Sequence, residues 1–401
     1  MKVLMLSDLY PPIIGGGERY VESLSEELAR RGHEVTVCTV SSPGLPRYEE
    51  VDGVKIYRME GFFQKIPFLF SDPTRKWHPP TRDWLITRQL SSVLEAEKPE
   101  IVHAHGRILY SFLTLKQKKR IPLVATLHSY AFLCPRTDLM RGNSICDKPL
   151  TRDCIACGSG FYGLTKSLFS YWGTRINRGK LTLVDKFIAP SSFTKETCSR
   201  ALGLGHDDIL VIPNFYSVGG NGGRKEKVDL PDDFILFVGA LAPHKGIDVL
   251  IEAYHKLDTQ TKLLLIGGTH PDHRYRSERN ITVIENAPHS LVMEAMSRCR
   301  FAVLPSLCPE TFGMVVIEAM SQSKAVLASR IGGLEDIVVD GETGILVNAH
   351  DTEGVAQAMD SLLRSPEVAS RMGRKGMEIY LKNYTVDVVV PRIEALYQSL
   401  V

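Results

Sequence analysis

The chain has 401 residues, of which 44% are hydrophobic and 23% charged, and its formal net charge is +2. This length is too great for one ordinary core, so two domains are expected, and the composition excludes a disordered or fibrous chain. A charge so close to balance gives no broad basic field, which argues against a nucleic-acid partner.

No apolar run reaches transmembrane length. Met1 to Leu6 is apolar but runs into Asp8 and Pro11-Pro12, which does not read as a secretion signal. The expectation is a cytoplasmic protein, free or peripheral at a membrane. Lys116, Lys118, Lys119 and Arg120 form a local basic cluster. It is either a solvated helix end or a contact for an anionic surface.

Lys2 to Leu6 reads as a buried parallel strand and Pro11 to Gly17 as a loop. Glu18 to Arg31 carries Val21, Leu24 and Leu28 at helical spacing, and Glu34 to Val40 is the next strand. Strand, loop, helix, strand is the opening of a doubly wound sheet. Further strands follow at Ile101 to Ala104, Leu123 to Leu127, Lys186 to Ala189 and Ile209 to Ile212. Residues 41 to 90 and 129 to 180 read poorly as regular elements and are expected to be loops or insertions. Ser217 to Arg224 (SVGGNGGR) is Gly-rich and polar, a linker by composition.

The pattern then restarts. Strands are expected at Phe234 to Val238, Lys262 to Ile266, Ile281 to Ile284, Ala302 to Leu304, Ala325 to Ala328 and Gly344 to Val347, with a helix from about Ile247. Two last helices fill about 351 to 401. The fold class is therefore α/β, with two Rossmann-like halves, and a ligand is expected in a cleft between them.

The sharpest local signal is Pro305 to Glu318, PSLCPETFGMVVIE. Glu310 lies in a loop after a buried strand, and a helix carrying Glu318 follows. The N-terminus of such a helix presents free backbone N–H groups and a positive dipole end to anions and hydroxyls. On spacing alone, the two glutamates could equally be polar residues flanking a helix start.

Two glutamates seven residues apart, with Phe-Gly between them, resemble the E-x7-E motif of family-four retaining glycosyltransferases, which have the GT-B fold. Other segments agree in order. Pro11-Pro12 with Gly15-Gly16-Gly17 resembles the family's first loop, and Pro99 to Gly106 (PEIVHAHG) and Ala125 to Tyr130 (ATLHSY) resemble its histidine-bearing segments. Ile188 to Ser192, Val211 to Asn214, Gly239 to Leu250, Gly332-Gly333 and Asp340 to Val347 complete a resemblance spanning nearly the whole chain.

The resemblance implies an acceptor domain over about 1 to 212, a nucleotide-sugar donor domain over about 213 to 384, and a final helix, 385 to 401, returning to the first. It implies that Glu318 binds the ribose of a UDP- or GDP-sugar and that Glu310 binds the transferred sugar. Phe312, Gly313 and Met314 should offer backbone groups nearby, and Lys245 should face the diphosphate. His128 should lie near the reacting carbon, with His105 on the acceptor side. Gly16 and Gly17 should let backbone approach the acceptor or phosphate. Outside that context each histidine would read as a satisfied core residue and the glycines as a turn.

The implied reaction is retaining transfer to a glycan, lipid-linked or small-molecule acceptor. It needs no metal, since Lys245 and a helix N-terminus can stabilise the leaving diphosphate and no Asp-x-Asp segment is present. No nucleophile is evident, so attack from the leaving-group side is favoured. Two readings compete with it: a phosphorylase-like enzyme on the same fold, and a non-catalytic nucleotide-sugar-binding subunit. Ala240 lends the second some support, because the family often has Arg there; His244 and Arg330 are candidate substitutes. Finally, Cys134, Cys146, Cys154 and Cys157 form a C-x11-C-x7-C-x2-C cluster. The alternatives are a structural zinc, an iron–sulfur or redox site, or unliganded thiols.

Overall fold

The computed structural model describes residues 1–13, 15–66, 69–70, 76–217, 229–268 and 280–401. The chain divides into two compact units, Met1–Pro213 with Val389–Val401, and Asn214–Val388. All but the first residue of the expected Ser217 to Arg224 linker lies outside the described residues.

In the first unit the chain order is β1 (Lys2–Ser7), α1 (Gly16–Arg30), β2 (Glu34–Val40), β3 (Tyr48–Val51), β4 (Val54–Met59) and α2 (Trp84–Glu97). Next come β5 (Ile101–Ala104), α3 (Leu109–Lys119), β6 (Leu123–Thr126), a hairpin of β7 (Met140–Arg141) and β8 (Ser144–Ile145), α4 (Asp153–Tyr162) and α5 (Leu164–Arg178). The series ends with β9 (Lys186–Ala189), α6 (Ser192–Leu202) and β10 (Ile209–Val211).

Among the described residues, eight strands form one sheet in the order β10-β9-β6-β5-β1-β2-β4-β3. Neighbours are parallel except for the antiparallel edge pair β3–β4. The central strands are buried at every position but Lys2, which is why they read as largely apolar runs. Leu4, Leu6, Val102 and Ala104 pack with Ile86, Leu90 and Phe112 from α2 and α3.

Several expectations are corrected here. Helix α1 begins at Gly16, not Glu18. Residues 41–90 hold β3, β4 and the start of α2, and 129–180 hold the β7–β8 hairpin, α4 and α5. Strand β3 was hard to read because it lies exposed at the sheet edge, with no apolar face to reveal it. The basic cluster caps the end of α3, where Lys116 pairs with Asp185 and Lys119 with Glu95. Cations are favoured at a helix C-terminus.

The second unit runs β11 (Phe234–Val238), α7 (Ile247–His255), β12 (Lys262–Gly267), β13 (Ile281–Glu285), α8 (His289–Arg298), β14 (Ala302–Leu304) and α9 (Met314–Ser321). It continues with β15 (Val326–Ser329), α10 (Leu334–Ile337), β16 (Gly344–Val347), α11 (Thr352–Arg364) and α12 (Pro366–Asn383). The described strands pair in parallel in the order β13-β12-β11-β14-β15-β16. Alternate residues of β11 enter different cores: Phe234 and Leu236 pack with α8 and α9, Ile235 and Phe237 with α7 and α11.

Three helices, not two, close the chain, because Pro366 forces a break after α11. The last, α13 (Val386–Leu400), groups with the first unit from Val389 onward. It is tied there by Arg392 to the Val211 carbonyl at 2.7 Å and by Glu394 to His33 at 2.8 Å.

Candidate functional site

In each sheet the strand order reverses direction beside one central strand. The second sheet grows from β11 through β12 and β13 on one side and through β14 to β16 on the other. Such switch points leave a crevice at the carboxyl ends of the two strands, where ligands of open α/β sheets bind. The loops leaving β11 and β14 carry Lys245 and Glu310.

These two side chains meet. Lys245 Nζ donates to Glu310 Oε1 at 2.6 Å, and Ser306 Oγ donates to the same oxygen at 2.7 Å. The approach depends on Gly246, whose φ is +73° and whose added Cβ would stand 1.8 Å from the Pro305 carbonyl oxygen. Leu307 N donates to His244 O at 2.9 Å, pinning the two loops together. Gly332 and Gly333 sit so close to Glu310 and Thr311 that neither has room for a Cβ, and Gly333 N donates to Glu310 O at 2.7 Å. Burial pushes the Glu310 carboxyl up, but the bonds from Lys245 and Ser306 outweigh it and hold it below its ordinary value. Burial opposes the Lys245 ammonium, yet Glu310 outweighs it and holds its pKa above the ordinary lysine value.

Helix α9 begins directly after this loop, with Gly313 at its N-cap (φ +128°). In its first turn Val316 N donates to the Gly313 carbonyl at 2.9 Å, while the N–H of Met314 has no acceptor within the helix. Phe312 is buried against Tyr384, so only its backbone can serve a ligand. Glu318 is buried and accepts from His289 Nε2 at 3.0 Å. The carboxylate expected to take a diol therefore already has one partner. Arg330 does not substitute for the missing family Arg: its guanidinium bonds Asp340 and the Leu346 carbonyl.

The first unit has its own switch point, between β1 and β5. A cavity of about 520 Å³ lies there, lined among others by Asp8, Gly17, His105, Arg107 and His128. Both Asp8 oxygens accept backbone N–H groups, from Ile108 at 2.7 Å and Arg107 at 3.0 Å, so Asp8 ties the loop after β5 to the end of β1. Burial raises its pKa to about 6 despite those bonds. His105 Nδ1 and His128 Nε2 are 2.9 Å apart. Buried His103 lies against His105 with its ring tilted by 43°, bonding Tyr397 Oη at 2.6 Å and Thr126 Oγ1 at 2.7 Å. Burial lowers His128 to about 4 and His103 to about 3, and lowers His105 further below its usual value through burial and its two histidine neighbours. All three imidazoles are thus neutral at neutral pH. Each then offers one donor and one acceptor and no positive charge. His105 Nε2 is buried with no hydrogen-bond partner.

Gly16 opens α1, and Gly17 lies against His128, with its added Cβ 4.0 Å from the histidine's own. The structure thus brings together Lys245 with Glu310, and His105 with His128 and Gly17. The four clustered cysteines are free thiols around a small hollow in the first unit. Ser306, His289, Asp8, His103 and Tyr397 escaped the sequence reading. The i, i+2 spacing of His103 and His105 and the place of Asp8 after β1 were usable signals. His289 and Tyr397 gave none, being recruited from distant parts of the chain.

Residues 14–218 match the family profile described as Glycosyltransferase Family 4, and residues 223–378 match that of Glycosyl transferases group 1. An uncharacterized glycosyltransferase of Methanocaldococcus jannaschii is 28% identical across 100% of this chain and 99% of its own length. A glycogen synthase of Mycobacterium tuberculosis is 27% identical over 99% of this chain and 94% of its own. Among solved structures, sucrose-phosphate synthase of Thermosynechococcus elongatus superposes with a TM-score of 0.78 at 21% identity, covering 100% and 99% of the two chains. The Anabaena protein HepE, in complex with UDP and glucose, gives 0.72 at 18% identity with full coverage of both. The architecture is the GT-B fold.

Proposed function

The chain belongs to glycosyltransferase family 4, and from that membership we propose that it moves a sugar, with retention, from a nucleoside-diphosphate sugar to a hydroxyl acceptor. The observation that carries this is the Lys245–Glu310–Ser306 cluster at the switch point of the second sheet, beside the N-terminus of α9. A leaving diphosphate gains negative charge as the glycosidic bond breaks. In this reading Lys245 and the N–H groups of Gly313 and Met314 meet that charge, which makes a metal unnecessary. Glu310 is freed from Lys245 as the diphosphate arrives and takes hydroxyls of the transferred sugar. Glu318, oriented by His289, takes the ribose diol.

A UDP-sugar is the preferred donor, since the Anabaena neighbour is bound to UDP and glucose; GDP-sugars remain in the test set. The acceptor belongs in the first-unit cavity, with His105, His128, Gly16 and Gly17. Neutral imidazoles there can accept the acceptor's proton or bond its hydroxyls without repelling cationic charge at the sugar carbon. The exposed Leu164, Trp172 and Ile176 of α5, near Lys166 and Arg175 in sequence, support peripheral contact with a membrane carrying a lipid-linked acceptor. Nucleotide release from a panel of UDP- and GDP-sugars, with and without candidate acceptors, tests the proposal. Sugar cleavage that needs free phosphate and no nucleotide, or donor binding without any release, would transfer the case to a phosphorylase-like or a non-catalytic protein.

A further inference from the structure

The segment between β6 and α5 contains Cys134, Cys146, Cys154 and Cys157, and neither proposed binding site uses them. They come from three pieces of structure. Cys134 follows a turn, Cys146 comes directly after β8, and Cys154 and Cys157 lie in the first turns of α4, three residues apart and so on one helix face. All four line a single hollow of about 20 Å³. A water-sized guest needs roughly 10–15 Å³, so the hollow suits one small occupant.

Four thiolates around one divalent ion leave net negative charge on the site. Cations stand ready for the charge. Arg136 Nη1 donates to Cys157 Sγ at 3.5 Å, and Arg141 and Lys148 line the hollow. Arg136 Nε is buried with no hydrogen-bond partner.

Strands β7 and β8 have two residues each, too short to hold the hairpin by their own pairing; Leu133, Cys134 and Leu139 before it are anchored in the first-unit core. All four cysteines are free thiols, so no disulfide staples the segment.

We propose that Cys134, Cys146, Cys154 and Cys157 bind one zinc ion tetrahedrally, and that this site fixes a wall of the first-unit cavity. Each thiol gives its proton to solvent as its Zn–S bond forms, and nothing is oxidised or reduced. Among the described residues no three His, Cys, Asp or Glu side chains are already gathered as a ligand set. Binding the ion therefore requires the sulfurs to move inward. The link to the cavity is direct: Pro135 lines both spaces, and Thr137 and Tyr162, which flank the cysteines, line the cavity. The zinc site stands independently of the sugar-transfer reading.

Elemental analysis of the full-length protein should find about one zinc per chain. Titration with a mercurial should release it as four thiols react, and cobalt exchanged into the site should show the intense near-ultraviolet absorption of thiolate ligation. Cys154→Ser and Cys146→Ser should each lower metal content several-fold. Should those variants fail to fold, chelator treatment of the wild-type chain supplies the second measurement: metal loss should open residues 134–157 to protease. A folded wild-type chain that takes up no zinc after reduction and reconstitution overturns the proposal. So does iron in place of zinc, or a disulfide within the cluster.

Discussion

Replacing Lys245 with Ala tests the donor site most directly, because the structure assigns that side chain two separable effects. The first is on stability. Its ammonium lies 2.6 Å from Glu310 Oε1, and the two side chains are only 27% and 20% exposed. Removing Lys245 leaves a largely buried carboxylate with Ser306 as its recorded side-chain donor. Breaking a fully buried pair costs about 3–5 kcal/mol. With partial exposure and Ser306 retained, about 1–3 kcal/mol is expected, or a Tm fall on the order of 2–12 °C for a unit of this size. The second effect is on chemistry. If Lys245 stabilises the departing diphosphate, its loss should lower kcat by roughly 10²–10³ and weaken donor binding as well. Lys245→Met with Glu310→Gln separates the two: the pair should regain stability but not turnover. Ala240 is exposed, so Ala240→Arg can be accommodated and should partly restore turnover in Lys245→Ala. The assays are thermal denaturation and steady-state kinetics with a donor that turns over. Wild-type kcat in both Lys245→Ala and Glu310→Ala would refute the placement of the donor site.

Glu318→Ala should mainly weaken donor binding with a smaller change in kcat, because a ribose is held alike before and during bond cleavage; calorimetry with the nucleotide alone would reveal an unchanged Kd if this is wrong. Acid should destabilise the first unit. His78 and His128 are lowered to about 4 and His103 to about 3, chiefly by burial, so the unfolded chain binds more protons below its ordinary histidine pKa. Their contribution is intact above about pH 6.5 and is lost as pH falls toward 4, at up to about 1.4 kcal/mol per pH unit for each histidine. Asp8, raised to about 6 by burial, works in the opposite sense over about pH 4–6 and offsets roughly one of them. A first-unit melting temperature that rises between pH 6.5 and 5 would contradict this. Gly246→Ala should disrupt the Lys245–Glu310 contact, since its Cβ would collide with the Pro305 carbonyl and its φ is +73°; a variant with wild-type Tm and donor affinity would show that the loop has another way to close.

Much of the scaffold is legible in the chain because strands covered by helices are dominated by apolar residues. Strands β2, β5, β9, β11, β14 and β16 lie where those runs begin and end. Gly313 and the helix carrying Glu318 are legible for a similar reason, since a turn into a helix beside a strand end constrains residue type locally. Where burial is one-sided or weak, that information is missing. Strand β3 is exposed, α4 buries only Gly158, and α5 mixes aromatics with cations in no clean period. The break at Pro366 divides what otherwise reads as one long helical stretch.

What tertiary structure alone decided is pairing across distance. Lys245 and Glu310 are 65 residues apart, and His103 and Tyr397 are 294 apart. Sequence patterns report the face a residue turns to its own element, because helix and strand periods are local. They do not report which distant side chain fills the space opposite. The sheet's strand order brings β11 beside β14, and so makes Lys245 and Glu310, whose contact neither segment announces, into one ion pair.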